Sequence, residues 1–277
     1  MTWFAIEVQA PAGQREAVAT WLVERTGQAV EERSDGTLVS FASDLPGAVA
    51  LERDLARAHG GDVACSRLEL PEVDWTTAWR KGLGVRRVGR FTIVPTWIEH
   101  QAAPGDLIIR VDPEMAFGSG EHGSTRVAML LLERVVRPGD FVLDLGAGSG
   151  ILSIAAVKLG AVRAVGIEVD GETIPVAQQN LVRNGVADRV DLLEGEAGQL
   201  APLLPRAQVV VSNILRLVNV ALLPEIRDAL APGGSAIFSG MEDKEADQFR
   251  VPLVAGGFDV ADEVVDDGWW AVRAIRR

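Results

Sequence analysis

Gly146, Gly148 and Gly150 stand at alternate positions between one apolar run and a second that begins at Ile151. Residues without a Cβ can take positive φ in a tight turn, and a ligand can lie close against their backbone. Val142, Leu143 and Leu145, before the turn, read as a strand covered on both faces. Ile151 to Val157, after it, read as a helix whose first N–H groups face whatever sits over the glycines. Asp144 lies inside the strand. Glu168 closes the next strand, Val165-Gly166-Ile167-Glu168, 22 positions beyond Gly146. A carboxylate there can accept hydrogen bonds from both hydroxyls of a ribose. The spacing is G-x-G-x-G rather than the G-x-G-x-x-G of dinucleotide sites. A nicotinamide or flavin site in a related doubly wound sheet is the competing reading.

Asp144, the glycine turn and Gly166-Ile167-Glu168 together resemble the S-adenosylmethionine (AdoMet) site of class I methyltransferases. Other residues can be read against such a site. The glycine-rich loop from Asp112 to Thr125 delivers Phe117, His122 and Thr125 close to the turn. An aromatic ring such as Phe117 beside a sulfonium contributes cation–π attraction. His122 could act as a base or an orienting group, or be structural. Thr125 could bond a carboxylate or cap the helix it begins. Glu196 follows the third strand, where such folds meet an adenine. Asn213 ends the buried strand Val209–Asn213, where open α/β sheets place ligand-facing groups; its other reading is a helix N-cap. His59, His100 and His122 are the only histidines and Cys65 the only cysteine, so neither a histidine metal site nor an intrachain disulfide is expected.

The elements that must position these groups follow from periodicity. Residues 2–8, 29–33, 37–41 and 63–70 read as strands, with helices over 13–25 and from Pro46. That order, β-α-β-β-α-β, is the ferredoxin-like plan. It defines a small N-terminal α+β domain over residues 1–71, assigned to substrate recognition. Residues 72–104 read as a linker that carries Trp75, Trp79 and Trp97. Its basic run from Arg80 to Arg90 offers a contact to RNA phosphate, or only a solvated loop and hairpin. The methyltransferase domain is expected over 105–277. Its strands lie at 107–111, 141–145, 165–168, 190–194 and 209–215, with helices from Thr125 to Val135 and from Gly171 to Asn184. Pro232-Gly233-Gly234 reads as a turn into the strand Ser235–Ser239. Residues 257–260 and 269–275 read as a terminal antiparallel pair that completes a seven-strand, Rossmann-like α/β sheet.

A net charge of −12 over 277 residues argues against broad nucleic-acid binding. The first residues have neither a basic stretch nor a long apolar run, so no signal peptide or membrane anchor is expected. A cytoplasmic monomer is the expectation.

With the motifs placed, the chain is similar to the ribosomal-protein methyltransferase family called PrmA, which trimethylates protein L-eleven of the large subunit. The residues that carry the likeness are Asp112-Pro113-Glu114-Met115-Ala116-Phe117-Gly118-Ser119-Gly120-Glu121-His122, the run Asp144 to Leu152, Gly166-Ile167-Glu168-Val169-Asp170 and Ser212-Asn213-Ile214-Leu215. The resemblance implies AdoMet as methyl donor, with S-adenosylhomocysteine as product. It implies cofactor contacts at Thr125, Gly146, Glu168 and Asn213, and N-methylation of lysine or N-terminal amines of L-eleven. The Asn213 side-chain oxygen and the Ile214 carbonyl would orient the acceptor amine. Another protein lysine or a small molecule is the alternative acceptor. The chain departs from the family pattern at Glu121, Gly123 and Ser124, where Thr, Pro and Thr are common. It departs again at Glu168, where Asp is common, and at Arg216, where a small residue is. An added carboxylate and an added arginine beside the site bear on acceptor choice.

Overall fold

The computed structural model describes residues 3–27, 30–33, 35–60, 63–70, 84–111 and 122–277. The chain divides into two units, Met1–Lys81 and Gly82–Arg277.

In the first unit β1 (Phe4–Gln9), α1 (Arg15–Thr26), β2 (Glu31–Glu32), β3 (Leu38–Ala42), α2 (Leu45–His59) and β4 (Ala64–Glu69) follow in order. The four strands form one antiparallel sheet in the order β2-β3-β1-β4. Alternation along β1 turns Phe4, Ile6 and Val8 onto Val18, Leu22, Leu51 and Leu55 of the two helices. The start of α2 is fixed by Asp44, whose carboxylate accepts from the Gly47 N–H at 2.7 Å, and by Pro46 in its first turn. This is the expected ferredoxin-like plan, with a shorter second strand.

The second unit begins earlier than the sequence suggests. Within the expected linker, β5 (Arg86–Val88) and β6 (Phe91–Pro95) pair with each other, and β6 pairs with β7 (Leu107–Val111) in a three-stranded sheet. Phe91, Ile93 and Ile109 are buried there. The apolar residues between the charges thus hold this segment to the second unit. Of the basic run, Arg87 pairs with Asp106 at 3.2 Å and Arg90 with Glu133 at 3.0 Å. Arg80 and Lys81, like Trp75, Trp79 and Phe117, lie outside the described residues.

The main sheet takes β8 (Phe141–Leu145), β9 (Arg163–Glu168), β10 (Val190–Glu194), β11 (Ala207–Asn213), β12 (Leu230–Glu242), β13 (Phe258–Asp266) and β14 (Trp269–Arg276). Its order is β10-β9-β8-β11-β12-β14-β13. The first five strands are mutually parallel, and β14 lies antiparallel between β12 and β13. The helices are α3 (Gly123–Val135), α4 (Ile151–Leu159), α5 (Ile174–Arg183), α6 (Ala197–Leu200), α7 (Arg216–Ala221), α8 (Leu223–Ala229) and α9 (Ala246–Ala255). Two buried clusters, one on each face, explain why β8 and β11 read as apolar runs without alternation. Pro232-Gly233-Gly234 does not turn the chain. Between the pairs Ala207–Leu230 and Val209–Ser235 the extra residues bulge out of β12, with Gly233 at φ 72°. Proline cannot donate to the ladder, and a bulge tolerates it.

The chain winds outward from β8 to β10 and returns to β11 on the other side of β8. The carboxyl ends of β8 and β11 therefore bound the crevice that an open parallel sheet leaves at its switch point.

Candidate active site

A cleft of about 350 Å³ opens at that crevice, lined among others by Thr125, Gly146, Gly148, Glu168, Glu196 and Asn213. The turn between β8 and α4 is held by the Gly146 and Ala147 N–H groups, which donate to the Ile167 carbonyl at 2.9 and 3.1 Å. All three glycines take positive φ, at 76°, 50° and 79°. A Cβ on Gly146 would stand 2.5 Å from Ile214 Cγ2, so the turn and the exit of β11 approach closely only because 146 is glycine. Gly150 does not line the cleft; it caps α4 in the left-handed conformation.

Glu168 Oε2 accepts from the Gly148 N–H at 2.8 Å, and Oε1 accepts from the N–H groups of Val169 and Asp170 at 2.9 and 3.1 Å. The residue expected to hold a ribose thus also ties down the glycine turn. A carboxylate offers roughly four acceptor positions, so capacity for a hydroxyl remains. Glu196 is exposed on the rim, where its backbone begins α6 beside Gly195 and Ala197.

The sequence suggests Asp144 as a cofactor contact, but it is fully buried behind the turn and does not line the cleft. Its Oδ2 accepts from the Ser153 N–H at 2.9 Å and from Ser153 Oγ at 2.7 Å, which fixes the first turn of α4. Its Oδ1 has no partner among the described residues. Burial, aided by the nearby Glu168 charge, pushes its carboxyl up to about 6, although the Ser153 bonds oppose the rise.

At the end of β11, Asn213 Nδ2 donates to the buried Thr125 Oγ1 at 3.4 Å. Asn213 Oδ1 is buried with no hydrogen-bond partner among the described residues. An orphaned acceptor in a ligand cleft is one that a ligand's N–H or O–H can satisfy. Sequence reasoning missed the residue that shapes this exit, Asn219. Its Oδ1 accepts from Ser212 Oγ at 2.7 Å, and its Nδ2 donates to the carbonyls of Ser239 at 2.9 Å and Ile214 at 3.1 Å. The Ile214 carbonyl, expected to face an acceptor amine, is therefore already engaged and keeps one lone pair. It is also pressed on Gly240, where a Cβ would stand 2.2 Å from that oxygen.

A second pocket of about 450 Å³ adjoins the cleft and shares Asn213, Ile214 and Leu215 with it. Its other walls include His122, Gly240 and Trp269. His122 thus lies here rather than in the cofactor cleft. Its Nδ1 is 2.7 Å from Ser124 Oγ, and its ring lies 4.1 Å from that of Trp269. Desolvation, helped by Arg126, lowers the His122 pKa, which favours the neutral ring. Arg216, one of the departures from the family pattern, is bound to Glu245 at 3.0 Å. No three potential metal ligands converge among the described residues.

The parallel strands, the antiparallel β14 and the switch-point cleft define a class I methyltransferase. A crystal structure of ribosomal protein L11 methylase from Lactobacillus delbrueckii subsp. bulgaricus, 32% identical, superposes with a TM-score of 0.64 over 70% of this chain and 100% of that one. The family model "Ribosomal protein L11 methyltransferase (PrmA)" matches residues 48–277, and the chain belongs to that family. The ribosomal protein L11 methyltransferase of Pelotomaculum thermopropionicum is 42% identical over 224 residues, 80% of this chain and 72% of that protein. That of Geobacter metallireducens is 33% identical over 98% of this chain and 96% of its own length.

Proposed function

We propose that this chain transfers methyl groups from AdoMet to lysine or N-terminal amines of ribosomal protein L11. The observation that carries the reading is the buried Asn213 Oδ1, unpartnered among the described residues, at the junction of a nucleoside-sized cleft and an apolar pocket. The residues present fit AdoMet. Glu168 would hold the ribose, the turn from Gly146 to Gly148 would take the methionine end, and the rim at Glu196 would lie along the adenine. When bound there, AdoMet supplies an electrophilic methyl group on a cationic sulfonium. The protein's own task is to present an amine with its lone pair free and aligned. A free lysine, with a pKa of about 10.4, is almost wholly protonated at neutral pH. The apolar walls of the second pocket disfavour the charged form. Asn213 Oδ1 then accepts one remaining amine N–H, and the spare lone pair of the Ile214 carbonyl can accept another.

The reading further assigns recognition of L11 to the N-terminal unit and places the enzyme in the cytoplasm as a monomer. An RNA contact through the basic run 80–90 is the weaker part of the reading, since Arg87 and Arg90 already pair with Asp106 and Glu133. The test is methyl transfer from labelled AdoMet to purified L11 of the same organism, with mass spectrometry of the product. Labelled lysines or a labelled N-terminus are expected. Intact AdoMet binding without transfer would overturn the acceptor and turn the search to other proteins in a lysate.

A further inference from the structure

Trp269 opens β14, where its backbone pairs with Glu242 on one side and Asp266 on the other. Held between two strands, the backbone cannot yield, and only the side chain can move. The indole forms one wall of the second pocket and lies against the first residue of α3. A Cβ built on Gly123 would stand 2.1 Å from Trp269 Cδ1, 2.7 Å from Cγ and 3.0 Å from Nε1. These contacts are far inside the van der Waals separation. The ring therefore reaches its position only because residue 123 has no side chain. It also meets the His122 ring at 4.1 Å, itself tied to Ser124 Oγ at the start of the same helix. The indole and the His122 ring both line the pocket, so an indole displaced from residue 123 changes the pocket's shape.

We propose that Gly123 and Trp269 together determine which acceptor side chains the site admits. The proposal rests on the methyltransferase reading above. Gly123 parks the indole against α3 and leaves the pocket open, and the indole face is the wall along which an alkylammonium chain lies. An aromatic face within about 6 Å attracts an ammonium cation, and a quaternary one most characteristically. Loss of the protons' hydration still disfavours a charged lysine there, whereas a fully methylated amine, which has no N–H to hydrate, gains from the indole face. The wall thus suits the apolar stem before transfer and the methylated head after it. A side chain at 123 would reshape the pocket without touching Glu168 or the glycine turn.

Gly123→Ala is expected to fold. The position is not in the left-handed region, and alanine favours a helix over glycine. The expected result is a rise in KM for L11 of about tenfold or more, the size of effect that a change in pocket volume produces. The affinity for AdoMet should stay within about twofold. In the double variant Gly123→Ala/Trp269→Ala, KM should return to that of Trp269→Ala alone, because the displaced group is gone. An unchanged KM in Gly123→Ala overturns the proposal, as does a rise that persists in the double variant or a matching loss of AdoMet affinity. A second measurement does not depend on the acceptor. Butyltrimethylammonium is titrated into 15N-indole-labelled protein holding S-adenosylhomocysteine, and the Trp269 N–H signal is followed. It should shift in the parent protein and not in Gly123→Ala. Absence of a shift in the parent overturns the proposal. Absence of transfer to L11, with the shift intact, overturns only the choice of acceptor.

Discussion

At the scale of single residues, Asn213 and Asp144 show how differently two buried polar groups can serve one site. Asn213 spends its amide N–H on Thr125 and leaves its oxygen for a ligand. Asn213→Ala should lower kcat for L11 by about 10²-fold, the cost of a misplaced reacting group, and weaken AdoMet binding by much less, since Asn213 is one of many residues lining the cleft. Isothermal titration beside steady-state kinetics separates the two. Asp144 carries a folded-state pKa raised to about 6 from 3.8. Its contribution to stability is fully present below about pH 4 and is lost as pH rises through 6, where the buried carboxyl ionises. Each tenfold change in proton affinity is worth roughly 1.4 kcal/mol, so the loss is about 3 kcal/mol. Urea titrations at pH 4 and pH 7 should show parent stability falling relative to Asp144→Asn over that interval, and a constant difference would refute the assignment. The glycine turn, Glu168 and Asn213 are legible in the sequence because each depends on its own strand end. The true place of Asp144 is not, since only the fold shows that Ser153 captures it. Trp269 leaves a usable signal, because adjacent tryptophans in a strand face opposite ways. Trp270 is 1% exposed in the core, so its neighbour has to face elsewhere.

At the scale of elements, the site depends on how the exit of β11 is tied to β12. Asn219, on α7, holds Ser212, Ile214 and Ser239 with one side chain. Asn219→Ala removes the partner of two buried groups, Ser212 Oγ and the Ser239 carbonyl, and of the part-buried Ile214 carbonyl, at about 1–3 kcal/mol for each group left unsatisfied. Thermal melts should show a fall in Tm of several degrees, and kcat should fall with it because Asn213 loses its fixed register. A Tm within one degree of the parent would count against this role. Gly240→Ala should be worse. Gly240 sits at φ 84° with the Ile214 backbone where its Cβ would be, so the new methyl displaces the exit of β11. Activity below a tenth of the parent is expected from the same assay. Strand and helix order are readable because apolar periodicity is local. The segment 84–95 reads as linker because its charges are conspicuous and its buried Phe91 and Ile93 are few. Pro232-Gly233-Gly234 carries turn chemistry whether the chain reverses or merely bulges.

At the scale of the whole molecule, the two units have separate buried cores, and the described residues lining the cleft all belong to the second. A ligand that binds one folded unit stabilises that unit alone, by about 2.7 kcal/mol at a hundred times its Kd. Differential scanning calorimetry should therefore resolve two transitions, of which S-adenosylhomocysteine raises only one. A common upward shift of both would show that the units unfold as one. Within the second unit, Ile214 has a further consequence. Its Cγ2 methyl meets the glycine turn, its carbonyl lies on Gly240, and it walls both the cleft and the second pocket. One short piece of backbone is thus a partition with an occupant on each side. Occupants that press on one partition are coupled by whatever affinity each gains or loses from the other, and the linkage is symmetrical. Whatever factor the spent donor applies to the affinity for an acceptor chain, the acceptor chain applies to the affinity for the spent donor. Repeated methylation of one amine requires the donor side to be emptied and refilled, so this shared factor sets how tightly a half-modified chain is held while the spent donor is still in place.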